Sequence, residues 1–255
     1  MRTLAVIPAR LGATRLPRKP LRLLAGQPLI VRVWEHVVGM DVVDKVVVAT
    51  DSGEIASVVA QAGATVAITR PDHVSGTDRV AEVVLGAGHE YDDFDVIVNV
   101  QGDEPFIPPD AVRGARDMVS ERGFDLGTAA VRADLAALDD ADVVKVVYAD
   151  DGRALYFSRA SIPYLRQLSD SRLREPLVRQ HLGVYAYTRT ALARWVSLPP
   201  HPLEQCERLE QLRPLAAGLN MGVAFIDARA PIAVDTEDDL MRANAHWDTR
   251  YARQA

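Results

Sequence analysis

The segment "IPARLGATRLPRKPLRLL" (residues 7–24) holds four arginines and one lysine with no acidic residue. The first 34 residues carry seven basic side chains and no Asp or Glu, although the 255-residue chain has a formal net charge of −6. Residues 35–255 therefore set 22 basic against 35 acidic side chains, about −13. Arg10, Arg15 and Lys19 are candidates to neutralise a polyphosphate, and the small residues Ala9, Gly12, Ala13 and Thr14 let backbone approach a ligand. A solvated basic face is the plainer alternative. Neither a Walker A pattern nor GxGxxG is present. Two carboxylates extend the idea. In "VNVQGDEPFI" (98–107), Asp103 follows a strand-like run after Gln101 and Gly102. In "PIAVDTEDDL" (231–240), Asp235 again follows a strand-like run. Either could hold Mg²⁺, which takes one or two carboxylates together with substrate phosphates. The competing readings are a turn for Asp103 and helix capping by Thr236 and Asp239 beside Asp235.

Three further groups matter less. "SGTDR" (75–79) offers hydroxyls and backbone amides to a base or phosphate, or Ser75 or Thr77 simply caps a helix. If "LEQCERLEQLR" (203–213) is one helix, Leu203, Cys206, Leu209 and Leu212 form its apolar stripe, with Glu204, Glu207 and Gln211 opposite. Glu210 then falls inside the apolar arc, a costly place unless it is paired or wet. His73 and His181 have no metal-type spacing, and neither is expected to ligate a metal.

The elements that must position these residues alternate. Strands are expected at 3–7, 45–50, 65–69 and 95–100, and helices at 28–39, 52–64, 78–87 and 109–121. Such alternation predicts an α/β fold with a mostly parallel central sheet and helices on both faces. A ligand then sits outside the carboxyl ends of the strands, where the basic segment lies. Residues 142–160 read as a β-hairpin turning at Asp150-Asp151-Gly152. Residues 165–180 read as an exposed loop or short irregular helix. A strand at 182–187, helices at 188–198 and 202–218, a strand at 221–227 and a helix from 236 complete the pattern. A single domain, 1–255, with a hairpin-bearing insertion is expected.

Composition narrows the class. Hydrophobic content of 48% and charged content of 25% suit a soluble globular chain. The acidic balance argues against a nucleic-acid binder. One cysteine, Cys206, excludes an internal disulfide. No run approaches the roughly 20 apolar residues of a membrane span. A reducing, cytoplasmic setting is expected.

Taken together and in order, "VIPARLGATRLPRKPL", "TRPDHVSGTDRVAEV", "VIVNVQGDEPFIP", "VKVVYADDGRALYFSRASIPY", "HLGVYAYTRTAL", "PLEQCERLEQLRPL" and "VDTEDDL" resemble the 3-deoxy-manno-octulosonate (KDO) cytidylyltransferase family. The likeness covers nearly the whole chain. It implies a Rossmann-like nucleotidyltransferase fold with a dimerisation hairpin, and the reaction CTP + KDO → CMP-KDO + pyrophosphate, which feeds lipopolysaccharide synthesis. It implies Mg²⁺ as cofactor, CTP and a 2-keto-3-deoxy sugar acid as substrates, and a homodimer. Residue by residue, it places Arg10, Arg15 and Lys19 on the triphosphate. Pro8, Ala9, Ser75, Gly76, Thr77 and Asp78 would line the nucleoside pocket, and Gln101 would stand between nucleotide and sugar. Asp103 and Asp235 would hold the metal, with Lys19 and Arg10 joining them in catalysis. Arg159, His181, Tyr185, Glu210 and Gln211 would face the sugar acid, with Arg159 on its carboxylate. Two departures stand out. The family usually has glycine at the position of Arg18, and it often carries a charged run where this chain reads "IPYLRQLSDSRLREPLVRQ". The latter leaves a related acid such as 8-amino-KDO open as substrate. A non-catalytic CTP-binding relative is the reading from another class.

Overall fold

A computed structural model describes residues 1–12, 15–86, 88–133, 135–167, 169 and 171–251. Ala13 and Thr14, two of the small residues in the basic segment, lie outside this set. The chain divides into two compact units.

The first unit comprises residues 2–95, 99–109 and 231–255. Its founding strand, β1 (Thr3–Ala9), is buried almost throughout, as its apolar run predicts. Short strands β2 (Leu23–Leu24) and β3 (Gln27–Pro28) form a small antiparallel hairpin that turns at Gly26, where φ is 76°. Helix α1 (Leu29–Val38) follows, with Pro28 at its N-cap. Strand β4 (Lys45–Thr50) pairs parallel with β1, Leu4 beside Lys45 and Ala9 beside Thr50. Helix α2 (Gly53–Gln61) is capped by Ser52, whose side chain accepts from the Ile55 N–H. Strand β5 (Thr65–Ile68) then pairs parallel with β4. Helix α3 (Gly76–Leu85) begins two residues earlier than the expected 78. The cause is a capping box: Ser75 Oγ accepts from the Asp78 N–H, and the Asp78 carboxylate accepts from the Ser75 N–H, both at 3.1 Å. The C-terminal helix (Glu237–Tyr251) also belongs here, its start fixed by the expected Thr236–Asp239 exchange.

Strand β6 (Val96–Val100) is wholly buried. The second unit takes residues 96–98 and 110–230 with Met1. Helix α4 (Pro109–Ser120) precedes β7 (Leu126–Arg132), a strand the sequence pattern does not reveal. Its Leu-Gly-Thr-Ala-Ala run is small because α4 lies on it directly. A Cβ at Gly127 would stand 2.0 Å from the Ala115 carbonyl oxygen. The expected hairpin is present as β8 (Lys145–Tyr148) and β9 (Ala154–Ser158), with Gly152 at φ 88° in the turn. After the exposed short helix α5 (Ser171–Arg174), β10 (Arg179–Thr188) runs longer than the expected 182–187. Thr188 caps helix α6 (Arg189–Ser197).

The expected helix 202–218 is two helices, α7 (Pro202–Glu207) and α8 (Leu212–Ala216). Arg208 ends the first in the left-handed region, φ 55° and ψ 45°. Leu203 and Cys206 are accordingly exposed and Gln211 is buried, against the helical-wheel reading, while Leu209 and Leu212 are buried as it expects. Strand β11 (Met221–Ile226) pairs parallel with β7, whereas β10 pairs antiparallel with it. The fold is thus α/β, with mostly parallel strands flanked by helices and an antiparallel component from β10 and the hairpin.

Candidate active site

In the first unit, the chain leaving β1 opens into a cleft of about 370 Å³. Pro8 and Ala9, at the end of β1, line it with Arg10, Gly12, Arg15 and Lys19. Ser75 and Gly76, at the start of α3, face them together with Gln101, Gly102 and Asp103. The walls are close. A Cβ on Gly76 would stand 3.2 Å from the Pro8 ring, and one on Gly102 would stand 3.0 Å from the Pro8 carbonyl oxygen. Asp235 completes the rim. Its segment reaches the 101–104 turn through a backbone bond, Val234 N–H to the Asp103 carbonyl at 2.9 Å. Thr77 is fully buried in α3 and is not among the cleft-lining residues.

Charge is organised tightly here. Lys19 Nζ donates to Asp103 Oδ2 at 2.6 Å and to Asp235 Oδ1 at 2.9 Å. Arg15 Nη2 lies 3.1 Å from Asp235 Oδ2. Burial alone would lower the Lys19 pKa, but the charges and hydrogen bonds of the two aspartates raise it above the ordinary value. Lys19 is therefore a fixed cation. Glu104, the neighbour of Asp103, behaves differently. Burial, followed by the negative charges of Asp103 and Asp235, pushes it up to about 8. Its Oε2 is buried without a hydrogen-bond partner. Arg18, just before Lys19, sits at φ 57°, a conformation that suits glycine, and its guanidinium is held by Glu54.

The Cytidylyltransferase family pattern matches residues 4–221. The chain belongs to this family. A 3-deoxy-manno-octulosonate cytidylyltransferase of Gemmatimonas aurantiaca is 60% identical over 252 residues, covering 99% of this chain and 96% of the relative. One from Xanthobacter autotrophicus is 47% identical over 251 residues, covering 96% and 93%. A solved structure described as CMP:2-keto-3-deoxy-manno-octonic acid synthetase complexed with CTP superposes with a TM-score of 0.88 at 36% identity, covering 98% of this chain and 100% of that one.

The cytidylyltransferase cleft also contains two residues to which the sequence reading gave no binding role. His73 lines it and pairs closely with Glu82. Arg79 lines it from α3, 3% exposed, and meets Asp51 Oδ1 at 3.2 Å. The available signal was an arginine on the buried face of α3, beside Val80 and Val84.

The five sugar-side expectations all fall in the second unit. Arg159 is anchored through its backbone and two guanidinium nitrogens. Its N–H donates to Glu207 Oε2 at 2.9 Å, and its carbonyl accepts from Lys145 Nζ at 2.6 Å. Its Nε donates to the Glu207 carbonyl and its Nη1 to the Ala141 carbonyl, both at 2.8 Å. Lys145 is fully buried, and its Nζ also donates to the carbonyls of Asp140 and Val143. Burial lowers its pKa. His181 and Tyr185 touch through their rings, 5.5 Å between centroids, and Tyr185 packs edge-on against Trp195 at 5.8 Å. Burial, then the charge of Glu210, raises the Tyr185 pKa, so its hydroxyl keeps its proton and Glu210 lies nearby. Glu210 itself stands in the turn between α7 and α8 beside the buried Gln211. Burial pushes His181 down to about 3, while part of the residue still reaches the surface, where a ligand can meet it. The structure thus gathers His181, Tyr185 and Glu210, and ties Arg159 to Glu207 of α7. Lys145 and Glu207 carried no signal in the sequence beyond being charged.

Proposed function

We propose that this cytidylyltransferase transfers CMP from CTP to the anomeric hydroxyl of 3-deoxy-D-manno-octulosonate, giving CMP-KDO and pyrophosphate for lipopolysaccharide synthesis. The observation that carries the reading is the Lys19–Asp103–Asp235 cluster in the cleft after β1, in a chain 60% identical over nearly its full length to a relative of that name.

The cluster suits Mg²⁺. One cationic nitrogen spans both carboxylates, and an oxygen donor set that leaves room for phosphate is what this ion takes. Asp103 and Asp235 would hold it, and when bound it supplies charge neutralisation at the phosphates. Lys19, Arg15 and Arg10 then hold phosphate oxygens. Pro8, Ala9, Ser75, Gly76 and Gln101 surround the nucleoside, with Thr77 buttressing Gly76 from inside α3. Arg159, with its backbone and two guanidinium nitrogens already fixed, offers its remaining donors to the sugar carboxylate. His181, Tyr185, Glu210 and Gln211 take up the hydroxyls. The C2 hydroxyl oxygen bonds to the α-phosphorus as the bond to pyrophosphate breaks, and the hydroxyl proton passes to solvent water. Positioning and electrostatic stabilisation supply the rate, and no covalent enzyme intermediate is required.

A homodimer formed through the β8–β9 hairpin and a cytoplasmic setting belong to the same reading. Among the described residues no helix is long and apolar enough to cross a membrane. The decisive test is a coupled pyrophosphate assay over KDO, 8-amino-KDO and a sialic acid against the four nucleoside triphosphates. Release is expected only with CTP, Mg²⁺ and KDO together. A stronger signal with another acid would reassign the substrate, and CTP binding without release with any acid would leave a binding protein.

A further inference from the structure

The side chain of Thr128, on β7, is fully buried and meets three groups. Its Oγ1 lies 2.7 Å from the Val184 carbonyl oxygen, 3.4 Å from that of Leu182 and 2.9 Å from His181 Nε2. The pairing of β10 with β7 produces this convergence. The register jumps from Leu182 opposite Ala129 to Tyr185 opposite Thr128, and this irregularity brings the Leu182 and Val184 carbonyls to the hydroxyl.

A hydroxyl has one proton, and a backbone carbonyl has none. Two oxygens 2.7 Å apart are held together by a proton between them. The Thr128 proton is therefore spent on Val184, and its oxygen can only accept from the imidazole. Nε2 must then carry hydrogen, and in a neutral ring this leaves Nδ1 bare. We propose that Thr128 is a positioning residue that locks His181 in the Nε2–H tautomer, making Nδ1 an acceptor that selects a hydroxyl of the sugar acid and turns away its carboxylate. The burial that disfavours the charged ring acts in the same direction. The selection step rests on the reading that His181 faces the sugar; the tautomer does not.

The test uses the full-length protein with ¹⁵N-labelled histidine at neutral pH, with His181 assigned by its loss in His181→Gln. The wild-type imidazole spectrum is expected to show the Nε2–H pattern. An Nδ1–H or doubly protonated ring would overturn the proposal without any variant. Thr128→Val, lacking the acceptor, is expected to lose that pattern and to raise KM for the sugar acid about tenfold, the scale of one hydrogen bond. KM for CTP should stay within about twofold. Thr128→Ser should restore both the spectrum and KM. A Thr128→Val protein whose tautomer shifts while its sugar KM does not would remove the selection step. Titration with the sugar acid separates the two readings. If the Nε2–H signature is present but does not move on adding KDO with a non-hydrolysable CTP analogue, His181 does not face the sugar and the tautomer stands alone.

Discussion

At the scale of single residues, the cleft is defined by one ammonium serving two carboxylates. Lys19→Met takes away the cation that Asp103 and Asp235 share, leaving Asp235 with Arg15 alone, and activity should fall by roughly 10²–10³-fold. A second readout isolates the cause. Added Mg²⁺ should raise Tm more in Lys19→Met than in wild type, because the ion then replaces the missing charge; equal shifts in a thermal melt would contradict the assignment of both aspartates. Histidine 181 supplies the pH prediction. Its folded pKa, about 3, lies below the unfolded value near 6.5, so the unfolded chain binds the extra proton and acid favours unfolding. Between pH 7 and pH 4.5 this one group should cost roughly 2–3 kcal/mol, and denaturant titrations should find that slope flattened in His181→Gln by that amount. The types of these residues were legible: five cations without a counter-charge, and an aspartate after each of two strand-like runs. Their partnership was not, because Lys19 meets groups 84 and 216 positions away. Nor could the sequence tell Asp103 from Glu104. Adjacent carboxylates look alike in a string, and only the fold gives Asp103 to Lys19 and leaves Glu104 Oε2 buried without a hydrogen-bond partner.

At the scale of elements, legibility followed periodicity. β1, β4, β5 and the helices between them repeat in strong apolar patterns, and they stand where expected within a few residues. β7 was hidden because close packing on α4 demands Gly127 and alanines, which erase the usual strand signature. The break in 202–218 was hidden because a left-handed arginine leaves no mark on an otherwise amphipathic run. Two elements invite tests. The capping box that starts α3 also shapes the cleft at Gly76, so Ser75→Ala should cost about 1 kcal/mol of stability and raise KM for CTP. Chemical denaturation and initial rates check both halves. The end of β9 is pinned by Lys145, whose ammonium serves three backbone carbonyls. Lys145→Met keeps much of the volume but frees the Arg159 backbone. It should raise KM for the sugar acid several-fold while CTP affinity, measured by calorimetry, stays unchanged.

At the scale of the whole molecule, the residues proposed for the triphosphate belong to the first unit and those proposed for the sugar acid to the second. Binding of the two substrates should therefore be separable. Arg159→Ala is expected to bind CTP within about twofold of wild type in a calorimeter, yet to lose at least 10²-fold in kcat/KM for the sugar acid. A matching loss of CTP affinity would mean that the segregation is only formal. The threading of the first unit has a consequence for cutting the chain. Lys19 and Asp235 meet across 216 positions, and the Val234 N–H bonds the Asp103 carbonyl. A single cleavage between Asp103 and Val234 therefore leaves the cleft in two pieces joined only by non-covalent contacts. A fragment that stops short of Asp235 keeps β1 and the basic loop but loses the second carboxylate.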